Sequence, residues 1–133
     1  MQNEERVAKG RQLVERMFGD GILNYLEGKA GSEGFGSQGA RLALRDIFGG
    51  VWVDDTLSPR ERSIATLSML IALRAEGEIQ NHVRGAVNNG LSAKEIEALI
   101  LHSAYYCGFP ASGVALQAAE TVLTEMGKLN NAE

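Results

Sequence analysis

The sequence predicts an all-α fold, and three observations carry that expectation. Apolar residues recur at helical spacing in one segment after another. Two segments open on a serine followed three residues later by glutamate, Ser58-Pro59-Arg60-Glu61 and Ser92-Ala93-Lys94-Glu95, the pattern of a reciprocal helix cap. No segment keeps the strict alternation of a half-buried strand.

Taken in order, the first helix is expected over residues 4–18, where Val7, Leu13, Val14 and Met17 make an apolar stripe. Gly19-Asp20-Gly21 should stop it, and a short helix should follow on Ile22, Leu23, Tyr25 and Leu26. Glycine then recurs at positions 28, 31, 34, 36 and 39. Each glycine costs a helix about 1 kcal/mol relative to alanine, so this stretch is expected to be a mobile loop inside one domain. Its reading as a phosphate cradle is weak, because no strand precedes it and no Lys-Ser or Lys-Thr follows. A short helix over 41–48, the turn Gly49-Gly50 and a tether, Val51-Trp52-Val53, lead to the sharper half of the chain.

There Ser58 caps, Pro59 takes the first helical position and Glu61 completes the box. The helix this opens, to about residue 75, is apolar on most of its circumference: Ile64, Leu67, Met69, Leu70, Ile71 and Leu73. Such a helix belongs in a core or an oligomer interface. One domain of 133 residues has few other helices with which to cover it, so a symmetric homo-oligomer is expected. The next helix follows Gly77, with Ile79, Val83, Ala86 and Val87 on one face, and ends at Asn88-Asn89-Gly90. The second capping box starts a helix with Ile96, Leu99, Ile100 and Ala104 inward. Gly108-Phe109-Pro110 should break it, and a last helix should run over 111–126 to Gly127.

Composition narrows the function classes. Hydrophobic residues make up 44% and charged residues 23%, the balance of a globular chain, read as a single domain over residues 1–133. Thirteen Lys and Arg against seventeen Asp and Glu give a net charge of −4, which argues against nucleic acid as a partner. Cys107 is the only cysteine, so neither an internal disulfide nor a Cys-x-x-Cys dithiol can form. The polar start Met1-Gln2-Asn3-Glu4-Glu5 does not read as a signal peptide, and the apolar run near 64–73 is too short to span a bilayer. The expectation is a soluble cytoplasmic domain with no membrane partner. His82, His102 and scattered carboxylates lack the tight spacing of a metal set.

Four stretches carry more than fold information: Leu57-Ser58-Pro59-Arg60-Glu61-Arg62-Ser63, Glu76-Gly77-Glu78-Ile79-Gln80-Asn81-His82, Asn88-Asn89-Gly90-Leu91-Ser92 and Tyr105-Tyr106-Cys107-Gly108-Phe109-Pro110-Ala111. In order and spacing they resemble the carboxymuconolactone decarboxylase family. The start of the chain, Arg6 to Gly10 and Met17 to Asp20, and the Trp52 tether resemble the family's γ-carboxymuconolactone-decarboxylating branch. Residues 28–48 depart from that branch by their glycine content, which bears on substrate identity. The resemblance implies a small helical domain of the alkylhydroperoxidase-D-like type, about six helices, assembled as a homo-oligomer, a trimer or a hexamer. It implies a carboxy-lyase needing no cofactor, acting on a small-molecule lactone acid in protocatechuate breakdown. The family's disulfide-reducing members carry a Cys-x-x-Cys where this chain has Glu78 in place of the second cysteine, so that chemistry is close to excluded here.

The implied reaction explains which residue types are needed. A carboxylate on the γ-carbon of an unsaturated lactone leaves as CO2, and its electrons run through the ring double bond to the lactone carbonyl. The protein must stabilise charge at that oxygen and deliver a proton to carbon. His82 is the candidate proton donor, as histidine alone titrates near neutrality unperturbed. Glu78, one turn earlier on the same face, is expected to orient the ring and raise its pKa. The bland alternative is an ordinary polar pair on a half-exposed helix. Arg62, entering an apolar helix, is the candidate for the substrate's spare carboxylate, or else an ion pair with Asp54 or Asp55. Tyr105 and Tyr106 offer one core ring and one hydroxyl donor to the site; Cys107 is expected to be a small, buried residue beside it. His102 is expected inward, Glu61 is explained by capping, and Arg74 and Arg84 by solvent or subunit contacts. Two further readings stay open: a family member acting on another small acid or lactone, and a non-catalytic helical binding module.

Overall fold

The computed structural model describes residues 2–129, which form seven α-helices and one π-helix with no strand. The chain divides into two compact units, Met1–Pro59 and Arg60–Glu133. No helix among the described residues is long and apolar enough to cross a membrane.

In the first unit α1 (Asn3–Phe18) and α2 (Asp20–Ala30) are separated by Gly19 alone. Its φ of 92° lies in the left-handed region that glycine adopts without strain, so one residue makes the turn where three were expected. Helix α2 runs through Gly28, and α3 (Ser37–Leu42) contains Gly39. The expected loop over 28–39 is therefore a hydrogen-bonded turn between two helices. Arg41 explains it: its Nε donates to the Ala30 carbonyl at 3.0 Å and its Nη2 to the Ser32 carbonyl at 2.7 Å. The Ser32 hydroxyl donates to the Lys29 carbonyl at 2.8 Å. Carbonyls left over at the end of α2 thus find partners, which offsets the entropy that glycine loses on ordering.

A π-helix, π1 (Ala43–Val51), continues α3 without a break. The expected turn at Gly49-Gly50 lies inside it. Helix α1 crosses π1 at Gly10 and Gly49, and a Cβ at either position would collide with backbone, the Leu44 carbonyl for Gly10 and the Arg6 carbonyl for Gly49. Backbone contact is what these two glycines allow. Around this crossing Leu13, Val14, Met17, Phe18, Leu23, Leu44 and Trp52 form the core. Phe48 meets Phe18 edge-on at 5.5 Å and lies tilted against Trp52 at 6.1 Å.

The second unit contains α4 (Pro59–Leu73), α5 (Glu76–Asn88), α6 (Ala93–Cys107) and α7 (Phe109–Glu125). Helix α7 packs against both α5 and α6. Its buried face is largely alanine, Ala111, Ala115, Ala118 and Ala119, which lets Ile79, Val83, Ile96 and Ile100 share one core with Leu67 and Ile71 of α4. Gly108, with φ 90°, ends α6 by itself, and α7 begins at once, two residues before the expected start. Pro110 falls in the first turn of α7, where its missing N–H is no loss. The Ser92–Glu95 capping box forms as read from the sequence. Helix α4 buries a single stripe, Ser63, Leu67 and Ile71, and leaves Met69 and Leu73 mostly exposed. Burial on all sides, expected from its composition, is not met within one chain.

Candidate active site

Helix α5 carries the proposed catalytic pair. Its apolar face turns Ile79, Val83 and Ala86 into the core, and His82 lies on the same buried side at 7% exposure. Glu78, one turn earlier, keeps its side chain 60% exposed. The His82 Nε2 and Glu78 Oε2 atoms are 3.9 Å apart, beyond hydrogen-bond range. Burial pushes the His82 pKa down from 6.5 to about 4. The ring is therefore neutral near pH 7, and the two groups are not an ion pair there. Glu78 was expected to raise this pKa. The loss of hydration prevails because the carboxylate sits in water, which screens its field, while the ring does not.

Arg62 is half-buried in the first turn of α4. Its neighbours fasten that turn to the junction of α5 and α6. Arg60 donates from Nη1 to the Gly90 carbonyl at 2.6 Å and pairs with Glu95 through contacts of 3.2 and 2.6 Å. The Asn89 amide donates to the Ser63 hydroxyl at 3.0 Å, in a buried setting. The Arg60 guanidinium and, after it, the Ser92 N–H hold the Glu95 carboxyl down to about 2.

Tyr105 and Tyr106, at the end of α6, are 84% and 80% exposed, so neither is the expected core ring. Tyr106 stacks on His102, centroids 5.0 Å apart and planes 26° from parallel. His102 is exposed rather than inward. Cys107 is a free, partly buried thiol packed against the core of its unit. Arg84, expected in solvent or at a subunit contact, pairs with Glu125 of α7 at 3.0 Å. The structure thus brings His82 and Glu78 together and sets Tyr105 on an exposed surface. A groove between α6 and α7 has Ile96, Ile100, Ala119 and Leu123 in its lining, but Glu97 and Glu120 line it too. Two carboxylates there repel an acidic substrate, so the groove is a poor place for one.

The links that reading along the chain does not show are Arg60 to Glu95 and Asn89 to Ser63. All of these residues but Glu95 stand in the quoted motifs, but their spacing carries no sign that the two stretches meet. Comparison with known proteins bears on the same stretches. The model of the carboxymuconolactone decarboxylase family matches residues 40–121. The chain is 32% identical over 127 residues to 4-carboxymuconolactone decarboxylase of Acinetobacter baylyi, covering 96% of this chain and 93% of that protein. It is 31% identical over 128 residues to nitrosuccinic acid decarboxylase of Metarhizium robertsii, covering 90% of each.

Proposed function

The chain belongs to the carboxymuconolactone decarboxylase family, and from that membership we propose that it decarboxylates γ-carboxymuconolactone to the 3-oxoadipate enol-lactone. Both relatives are decarboxylases, so loss of CO2 is the chemistry the family context supports for this chain. The observation that carries the assignment of roles is His82, an imidazole buried on the apolar side of α5 with a water-exposed carboxylate beside it.

In this reading the departing carboxylate leaves its electron pair to the ring, and negative charge gathers on the lactone oxygen. The substrate supplies its own electron sink, so the protein need only bind, orient and protonate. Arg62 holds the spare carboxylate, the task its planar fork suits best. His82 returns a proton to carbon. Burial keeps the ring neutral, and an anionic substrate drawn up beside it favours the imidazolium by direct charge attraction. The acid form is thus made where and when it is used. Glu78 orients the ring from the solvent side. Tyr105 supplies a hydroxyl donor and Cys107 an apolar wall.

A second reading is favoured by the near-equal identity to the nitrosuccinic acid decarboxylase. Nitrosuccinic acid also places a carboxyl group beside an electron-withdrawing centre and keeps a second carboxyl group. The glycine-rich 28–48 segment would then mark a different small diacid. Incubating the purified protein with γ-carboxymuconolactone and, separately, with nitrosuccinate while following CO2 release decides between them. Release from the lactone supports the first reading. Release from nitrosuccinate alone moves the substrate, and none from either removes both.

A further inference from the structure

Two of the motifs quoted from the sequence, residues 57–63 and 88–92, meet at the first turn of α4. Five groups make the junction: Arg60 and Ser63 on α4, Asn89 and Gly90 after α5, and Glu95 of α6. Glu95 serves twice. One oxygen accepts the Ser92 N–H at 2.9 Å and the other takes Arg60 at 2.6 Å. Gly90 has a φ of 100°, which turns its carbonyl toward Arg60 in a conformation costly for other residues.

The Ser63–Asn89 bond is the telling part. Ser63 is 0% and Asn89 9% exposed, so the hydrogen bond that joins them lies away from water. A matched apolar pair would hold the core about as well, since a buried hydrogen bond gains little net stability. What the bond adds is direction. It fixes the rotation of α4 one residue beyond Arg62. Arg62 leaves the axis about 100° from Ser63 on the same turn, so any rotation of that turn carries the long Arg62 side chain with it. The Arg60 clamp fixes the same turn along its axis.

We propose that the Ser63–Asn89 bond and the Arg60–Glu95 clamp lock the register of α4 so that Arg62 meets the spare carboxylate of the substrate squarely, making Ser63 and Asn89 positioning residues. The proposal rests on the role given to Arg62 above. Its test is steady-state kinetics with γ-carboxymuconolactone and with an analogue whose spare carboxylate is an amide. Ser63→Ala should raise KM for the diacid roughly tenfold, with kcat held within about threefold, and should leave KM for the amide unchanged. Added to Arg62→Gln, Ser63→Ala should change KM no further. Arg60→Gln, at an exposed side chain, should raise the diacid KM in the same sense but less, and it keeps the test open if Ser63→Ala does not fold. Equal loss on both substrates with a lowered Tm, or an unchanged diacid KM in Ser63→Ala and Arg60→Gln, overturns the register lock alone. Absence of turnover by the wild-type protein overturns the parent assignment and this one together.

Discussion

At the scale of single residues the proposed chemistry turns on His82. A general acid contributes about 10²–10⁴-fold, so His82→Gln, which keeps the volume and removes the titration, should leave less than about a hundredth of the turnover. Residual activity above about a tenth would take His82 out of that role. The pH dependence of rate should carry the same signature. Values of kcat/KM report the substrate-free ring near 4, and kcat reports the ring beside bound anion, so kcat should fall with rising pH through the higher pKa. Stability has its own sign. The folded ring titrates near 4 and the unfolded one near 6.5, so between these the unfolded chain binds the extra proton. Stability therefore rises with pH across that window, by about 3 kcal/mol at most, and is fully present above it. Urea unfolding midpoints measured from pH 4 to pH 7 should show this slope in the wild type and a flatter one in His82→Gln. Glu95 acts in the same direction lower down: its contribution is present above 4.5 and fades as pH falls toward 2.

At the scale of elements, glycines that look alike in the sequence have opposite uses. Gly10 lies where α1 touches π1 backbone to backbone, and a methyl group there meets the Leu44 carbonyl, which cannot turn aside as a side chain can. Gly10→Ala should cost about 2 kcal/mol or more, read as a lowered denaturant midpoint. Gly39 sits inside α3 with nothing within 4 Å of an added Cβ. Gly39→Ala should stabilise by about 0.5–1 kcal/mol through helix propensity and a less disordered unfolded chain. If both substitutions shift the midpoint alike, the crossing does not depend on close approach at Gly10. Helix α4 shows the opposite imbalance, one stripe buried and a second apolar face left over, although its composition reads as buried all round.

At the scale of the whole molecule, that leftover face joins other uncovered apolar side chains. Met69 and Leu73 on α4, Tyr105 and Tyr106 on α6 and Phe109 at the start of α7 are each at least 60% exposed. Where large exposed apolar groups lie together, they mark an interaction surface. We propose that a homo-oligomer, the trimer or hexamer that the family resemblance implies, covers them with copies of the same chain. Light scattering at micromolar concentration should give a mass several times that of the chain, and Leu73→Glu with Met69→Glu should reduce it while leaving helical circular dichroism intact. A monomeric wild type would remove this assembly.

How far the sequence alone reached follows from the range of the interactions concerned. The all-helical class, the start of α1, the Ser92–Glu95 cap and the placing of Glu78 and His82 on one face depend on residues no more than four apart, and reading along the chain is enough for those. The glycine-rich stretch reads along the chain as a loop, and its order comes from Arg41 reaching a carbonyl 11 residues away. The Arg60–Glu95 clamp joins residues 35 apart, and no spacing rule announces it. Tyr105, Tyr106 and His102 have the composition of core positions, but the packing of α6 against α7 turned them outward. The pKa of His82 was read from its neighbour Glu78 and is governed by the loss of water around the ring. Local order is written in short-range contacts, whereas burial and distant hydrogen bonds exist only once helices have packed, so the tertiary structure alone decided them.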